Sequence, residues 1–358
     1  MPCSEAGTCC TALKNSLNKG AAESAPFVFP LKKTLPIIVV LLAVTAYIVW
    51  QSRADEIHST RFFIMDTLVE LTAAGTRTET DDAVKKALAE LKRIDERLGY
   101  RNSLLDTLNR DLILKDRETY SLIRLSRDIH GASSGAFSLT LRPLLDAWGF
   151  TGLHPYREPT PAEFDAWKRS PSDKDIRLSD DGLTIELAEG MSVDLGGIAK
   201  GYAADRACET LKASGIGAGL VNAGGDITVF GSRTWKVGIK NPRSEGIFAV
   251  IPLKNKAIAT SGDYERFFVR GAKRYSHILD PSTGMPARGW ISATVVAETC
   301  VLADAWATAL FVKGPEALGK VLEKRGIDWI TVDDKGTVRA SKNLQPYCPE
   351  RIPGYTGS

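Results

Sequence analysis

Residues 35 to 50, LPIIVVLLAVTAYIVW, carry no charge, and Thr45 and the Tyr47 hydroxyl are their only polar groups. This run constrains everything after it. Spanning a bilayer takes roughly 17 to 25 residues, a length reached when Thr34 and Gln51 sit at the interfaces and Lys32 and Lys33 extend their ammonium groups into water. A buried core helix is the alternative, but the run precedes any plausible domain, has its lysines on the N-terminal side and ends on an interfacial residue type, Trp50. The lysines predict that residues 1–33 form a cytoplasmic segment and 34–52 a single transmembrane anchor. Everything after it is then expected on the outer, periplasmic face of the inner membrane. Val44-Thr45-Ala46 offers a cleavage site, yet the long, weakly charged leader argues for an uncleaved anchor, and no cysteine follows the run to carry a lipid.

The exported part is long enough to enclose a core and a ligand cleft. With 44% apolar and 25% charged residues the 358-residue chain is expected to fold, and a net charge of +3 without basic runs excludes a nucleic-acid binder. Six cysteines and four histidines show neither a zinc spacing nor Cys-x-x-Cys, which excludes a structural zinc module. Cys3, Cys9 and Cys10 precede the apolar run and Cys208, Cys300 and Cys348 follow it, an odd external count that implies no disulfide framework.

Residues 61–72, RFFIMDTLVELT, alternate enough to predict a strand closed by Ala74-Gly75. A helix capped by Thr80 or Asp81 follows, with Ala83, Val84, Ala87, Leu88, Leu91, Ile94 and Leu98 on one face and Gly99 at its end. Further helices are predicted over 117–133, around Pro143 to Trp148, and from the capping box Thr160-Pro161-Ala162-Glu163 to about Lys168, the last on a surface insertion. MSVDLGGIAKGYAADRACETLKASG (191–215) reads as a strand ending at Leu195, a Gly-Gly turn and a helix. Strands and turns then alternate until helices over 302–311 and 315–325 and a strand pair around Trp329 and Val338. The fold class is α+β, with mixed or antiparallel sheets flanked by helices over residues 54–342 and an irregular Pro- and Gly-rich tail over 343–358.

Three places carry potential chemistry. The turn at Gly196-Gly197 presents amides at a helix N-terminus, where an anion such as phosphate is favoured; neither G-x-G-x-x-G nor a P-loop is present. Asp194 before that turn reads as a cap or a ligand acceptor, and Lys200, one turn into the helix, reaches a phosphate or faces solvent. Asp304 and Thr308, four apart on VLADAWATALFV, offer two hard oxygens to one Mg2+, or else an acid complementing a helix dipole and a hydroxyl bonded to its own backbone. His277, in SHILDPSTG, is a base candidate near neutral pH, and Asp280 opens the Asp-Pro turn. No Gly-x-Ser-x-Gly or His-Glu-x-x-His element supports a hydrolase or metalloprotease.

Taken in order, IMDTLVEL, GAFSLTLRPLLDAWGF, VDLGGIAKGYAAD, LVNAGGDI, ATSGDYERFF, SHILDPSTGMPA and ADAWATAL closely resemble the ApbE family of FAD:protein FMN transferases, over about residues 60–325. The resemblance implies an exported, membrane-bound enzyme that uses Mg2+ and takes FAD as substrate. It attaches FMN by a phosphoester to a threonine of an acceptor such as a flavin-carrying respiratory subunit, and releases AMP. It places flavin contacts at Met65, Tyr100, Ala136, Phe137, Ser138, Asp194, Lys200 and Leu279, and metal ligands at the Gly197 carbonyl, Asp304 and Thr308. His277 then deprotonates the acceptor hydroxyl. Three positions depart from the family pattern: Asp66 stands where glycine is usual, Ser138 where aspartate is common, and Ala307 where some members carry an acid. Two rival readings use the same cavity: a Mg2+-dependent FAD pyrophosphatase releasing FMN and AMP, and a flavin-binding protein without catalysis.

Overall fold

The computed structural model describes residues 31–54, 56–99, 102–271 and 273–354. The chain divides into two compact units, Met1–Ser52 and Arg53–Ser358. Helix α1 (Leu31–Ala54) contains the apolar run, and its side chains are described from 36 to 47. Those of Ile37 to Leu42 are all exposed, unlike the side chains of a buried core helix. Among the described residues no helix is long and apolar enough to cross a membrane.

The second unit opens with β1 (Ile57–Ile64), β2 (Thr67–Ala74), α2 (Arg77–Leu98), α3 (Leu104–Asp111), β3 (Ile113–Lys115), α4 (Arg117–Ala132), α5 (Arg142–Trp148) and α6 (Pro161–Arg169). Then come β4 (Arg177–Leu178), β5 (Thr184–Glu186), α7 (Ala199–Ala213), β6 (Ala218–Ala223), β7 (Asp226–Gly231), β8 (Trp235–Lys240), β9 (Ile247–Leu253) and β10 (Ala257–Gly262). The chain closes with β11 (Phe267–Arg270), β12 (Lys273–Ser276), β13 (Trp290–Ala297), α8 (Cys300–Glu323), β14 (Asp328–Asp333) and β15 (Val338–Ala340).

An eight-stranded sheet in the order β1-β2-β6-β7-β10-β13-β14-β15 organises the unit, and all its neighbours pair antiparallel. Its strands alternate between two cores. Val69, Leu71, Ala73, Val221, Ala259, Ala293 and Val295 pack with the apolar stripe of α2, with α7 and with α8. Val229, Ile258, Val296, Ile330 and Val332 pack on the other face beneath the β8–β9 ribbon. Burial on both faces explains why β13 is apolar almost throughout. A third cluster of Leu144, Trp148, Phe150, Tyr275 and Leu279 is closed by Phe164 and Trp167 of α6, so the expected surface insertion covers aromatic core.

Three expectations need correction. The single strand over 61–72 is a hairpin, because Met65 and Asp66 both take left-handed backbone, each with φ of 55°, and reverse the chain without the usual Gly or Asn. Helix α2 starts at Arg77, since Thr76 and Glu79 form its capping box, the Glu79 carboxylate accepting from the Thr76 N–H at 3.0 Å. Residues 191–195 are not a strand: the Asn109 side chain takes the place of a neighbouring strand, donating to the Val193 carbonyl at 2.9 Å and accepting from its N–H at 2.7 Å. Residues 343–354 include a short 3-10 turn, Gln345–Tyr347, and Leu344 and Ile352 anchor them in the second core.

Candidate active site

Strand β7 pairs with β10 only at Ala257 and Ile258, so beyond Ile258 the two strands part. A cavity of about 480 Å³ lies there, within the range of small-ligand sites. The tips of two hairpins form one wall. Gly224, in the left-handed region at φ 65°, lets the β6–β7 turn close on the β1–β2 turn; a Cβ there would stand 2.3 Å from Thr67 Oγ1. Met65, Asp66 and Thr67 thereby reach the cavity.

Every site residue expected from the sequence lines this cavity except Tyr100, which falls outside the described residues. Met65, Ala136, Phe137, Ser138, Asp194, Gly197, Lys200, His277, Leu279, Asp304 and Thr308, separated by up to 243 positions in the chain, converge on it. Ala307 is fully buried in the helix-side core and does not line it.

The local roles differ from the simplest reading of the sequence. Asp194 is not the helix cap: Ile198 holds that position, and Asp194 Oδ1 accepts from the Gly196 N–H at 2.8 Å, closing the turn. Lys200 is half-buried, with 34% of its side chain exposed at the cavity, and does not stand free for a phosphate. Its ammonium pairs with Asp226 and lies 4.0 Å from Asp304 Oδ2. The α7 N-terminus meets an anion from within the protein, since the Gly201 N–H donates to Asp304 Oδ2 at 3.0 Å. Burial acts against the Lys200 charge, but Asp226 and Asp304 hold its pKa above the ordinary value. Burial in turn raises both carboxylates, Asp226 further by the charge of Asp304.

Ser138 is tied down by a carboxylate from elsewhere in the chain: its hydroxyl donates to buried Asp173 at 2.5 Å, and the Leu139 N–H donates to the same side chain at 2.7 Å. His277 is half-buried, edge-on to Phe150 with ring centroids 6.3 Å apart. Its Nδ1 lies 3.1 Å from the Arg266 carbonyl, which only accepts, so the neutral ring carries its proton on Nδ1 and Nε2 is the basic nitrogen. Burial, then the Arg266 charge, lowers its pKa to about 4.

The oxygens around Asp304 fit Mg2+. Asp304 and Thr308 share a helix face, Ser261 Oγ lies 3.2 Å from Thr308 Oγ1, and a Cβ on Gly197 would come within 3.5 Å of that hydroxyl, so the Gly197 backbone borders the same spot. Among the described residues no three His, Cys, Asp or Glu side chains group as a metal site. One carboxylate with hydroxyl and carbonyl oxygens is nevertheless a donor set that Mg2+ uses when substrate phosphates complete its shell.

Asp226, Thr260, Ser261 and Arg266 also line or border the site and were not singled out from the sequence. Asp226 had one available signal, a lone acid directly after the Gly224-Gly225 turn.

The fold and cavity define an α+β protein with a ligand-sized cavity that gathers an imidazole, a carboxylate and hydroxyl oxygens. A sequence profile of the ApbE family matches residues 65–331, and the chain belongs to that family. It is 31% identical over 305 residues to the FAD:protein FMN transferase of Rhodobacter capsulatus, an alignment covering 80% of this chain but only 57% of that protein. The Escherichia coli K12 enzyme of the same name is 30% identical over 297 residues, 75% of this chain and 85% of the relative. Among solved structures, the ApbE protein of Thermotoga maritima superposes with a TM-score of 0.77 at 34% identity, covering 82% of this chain and all of that one.

Proposed function

We propose that this protein transfers the FMN moiety of FAD to a threonine hydroxyl of an acceptor protein with the help of Mg2+. The threonine oxygen attacks the FMN phosphorus, a new P–O ester bond forms, the bond to the bridging oxygen breaks and AMP leaves. The observation that carries this reading is the convergence, in one cavity, of a neutral imidazole with the Asp304–Thr308 oxygen pair. His277 Nε2 takes the hydroxyl proton as the P–O bond forms. Asp304, Thr308 and the Gly197 carbonyl would hold the cation, which when bound would supply charge neutralisation for the phosphoryl transfer. Lys200 adds a fixed positive charge at the cavity wall, and Met65, Phe137 and Leu279 give the flavin apolar contact. Positioning and electrostatics account for most of the catalysis in phosphoryl-type transfer.

The apolar run of α1 acts, in this reading, as a single-pass anchor in the inner membrane with the catalytic unit on the periplasmic side. Lys32 and Lys33 on its N-terminal side and the exposed apolar side chains from Ile37 to Leu42 support that orientation. The acceptor is then a membrane-associated protein with an external threonine, such as a subunit of a respiratory complex.

Intact mass spectrometry tests the activity directly. With the full-length chain, FAD, Mg2+ and a threonine-bearing acceptor domain, the acceptor gains the mass of FMN, and EDTA abolishes the gain. Free FMN and AMP beside an unmodified acceptor would establish the pyrophosphatase instead, and intact bound FAD a binding protein.

A further inference from the structure

The Lys200–Asp226 pair stands beside the proposed cation site without belonging to it. Asp226 is buried, with 2% of its surface exposed, at the start of β7, while Lys200 arrives from the first turn of α7. Their pairing brings the sheet and the helix together at the cavity wall. Two carboxylates flank one ammonium there, and the ammonium has chosen between them: it contacts Asp226 and remains 4.0 Å from Asp304, the outer limit of an ion pair. The choice matters because Lys200 has a flexible four-carbon stem, and a half-buried ammonium deprived of one counter-ion moves to the next carboxylate within reach. Bound to Asp304, it would occupy the oxygens that a divalent cation needs.

We propose that Asp226 is a positioning residue that holds the Lys200 ammonium away from Asp304 and so keeps Asp304 available to a divalent cation. The inference rests on the reading of Asp304 as a metal ligand. It also accounts for the acid after the Gly224-Gly225 turn. That turn brings Asp226 to Lys200, and Lys200 is then fixed at the cavity wall rather than on Asp304.

Direct Mn2+ binding to the full-length chain without FAD, followed by electron paramagnetic resonance, tests this apart from catalysis. Asp226→Asn is expected to weaken Mn2+ binding about tenfold or more. Its crystal structure is expected to show Lys200 Nζ within about 3 Å of Asp304. In the double variant Lys200→Met/Asp226→Asn, which replaces the buried pair as a unit and so preserves folding best, binding returns to within about threefold of the wild type. A double variant that binds Mn2+ as poorly as Asp226→Asn, or a single variant with Lys200 still remote from Asp304, overturns the proposal. A wild-type chain that binds no Mn2+ either without FAD or in its presence overturns the metal assignment and this inference with it. If it binds Mn2+ normally but transfers no FMN to the acceptor, only the transferase reading fails, and the positioning role of Asp226 stands on the binding data.

Discussion

At the residue scale, the site is governed by what burial does to a few ionisable groups. His277 has its pKa lowered to about 4 against an ordinary 6.5, first by burial and then by Arg266, so its ring is neutral near pH 7, as the proposed base must be. The rate of FMN transfer at subsaturating acceptor is therefore expected to stay flat from pH 8 down to about 5.5 and to decline only near the lowered pKa; an inflection at 6.5 in the pH profile would remove His277 as the base. The stability contribution has a matching sign. Between the folded and unfolded pKa values the unfolded chain binds more protons, so the contribution is complete above about 6.5 and is lost as pH falls towards 4. Replacing His277 with Ala is expected to slow transfer by roughly 10²- to 10⁴-fold while leaving FAD binding nearly intact, a separation that equilibrium flavin fluorescence measures. Asp304→Ala is expected to depress the chemical step more than flavin binding, with the largest loss at limiting Mg2+; full transfer rate under those conditions would refute the metal assignment.

At the element scale, the site depends on the close approach of α7 to α8. Gly201 makes this possible, because a Cβ at that position would stand 2.3 Å from the Cys300 carbonyl and 2.8 Å from Asp304 Cβ. The same glycine's N–H orients Asp304. Gly201→Ala is expected to destabilise the protein by about 1–3 kcal/mol through overpacking, more than the roughly 1 kcal/mol that alanine gains in helix propensity. The thermal midpoint should fall by several degrees and Mn2+ binding should weaken in parallel; an unchanged midpoint would show that the two helices separate without cost. Motifs with local chemistry were legible in advance at this scale, including the Thr160–Glu163 capping box, the α2 stripe and the paired strands around Gly224-Gly225. The β1–β2 turn was not, because Met65 and Asp66 adopt left-handed backbone that their side chains do not favour and that only the surrounding packing imposes.

At the scale of the whole molecule, Arg53–Ser358 holds both sides of its main sheet in its own cores. Removing residues 1–53 is therefore expected to leave the thermal midpoint and FAD binding unchanged while abolishing sedimentation with membranes. If the truncated chain still sediments with washed membranes, the apolar run is not what attaches it. The structure also shows how the cavity residues are gathered: His277 follows the end of β12, Lys200 lies in the first turn of α7, and Asp304 and Thr308 come from the N-terminal half of α8, beside the point where β7 and β10 part.

The sequence by itself determined the α+β class, the bounds of α4, α5 and α6 to within a residue or two and eleven of the residues that meet in the cavity, because capping, periodicity and turn chemistry act over a few neighbours and because seven short motifs in order mark the family. Only the tertiary structure decided which partner each charged group takes. Lys200 and Asp226 are 26 positions apart, Ser138 and Asp173 are 35, and Gly201 and Asp304 are 103. Ion pairs and hydrogen bonds at those separations are chosen when the helices and sheet pack, where burial makes an unpartnered charge too costly to leave.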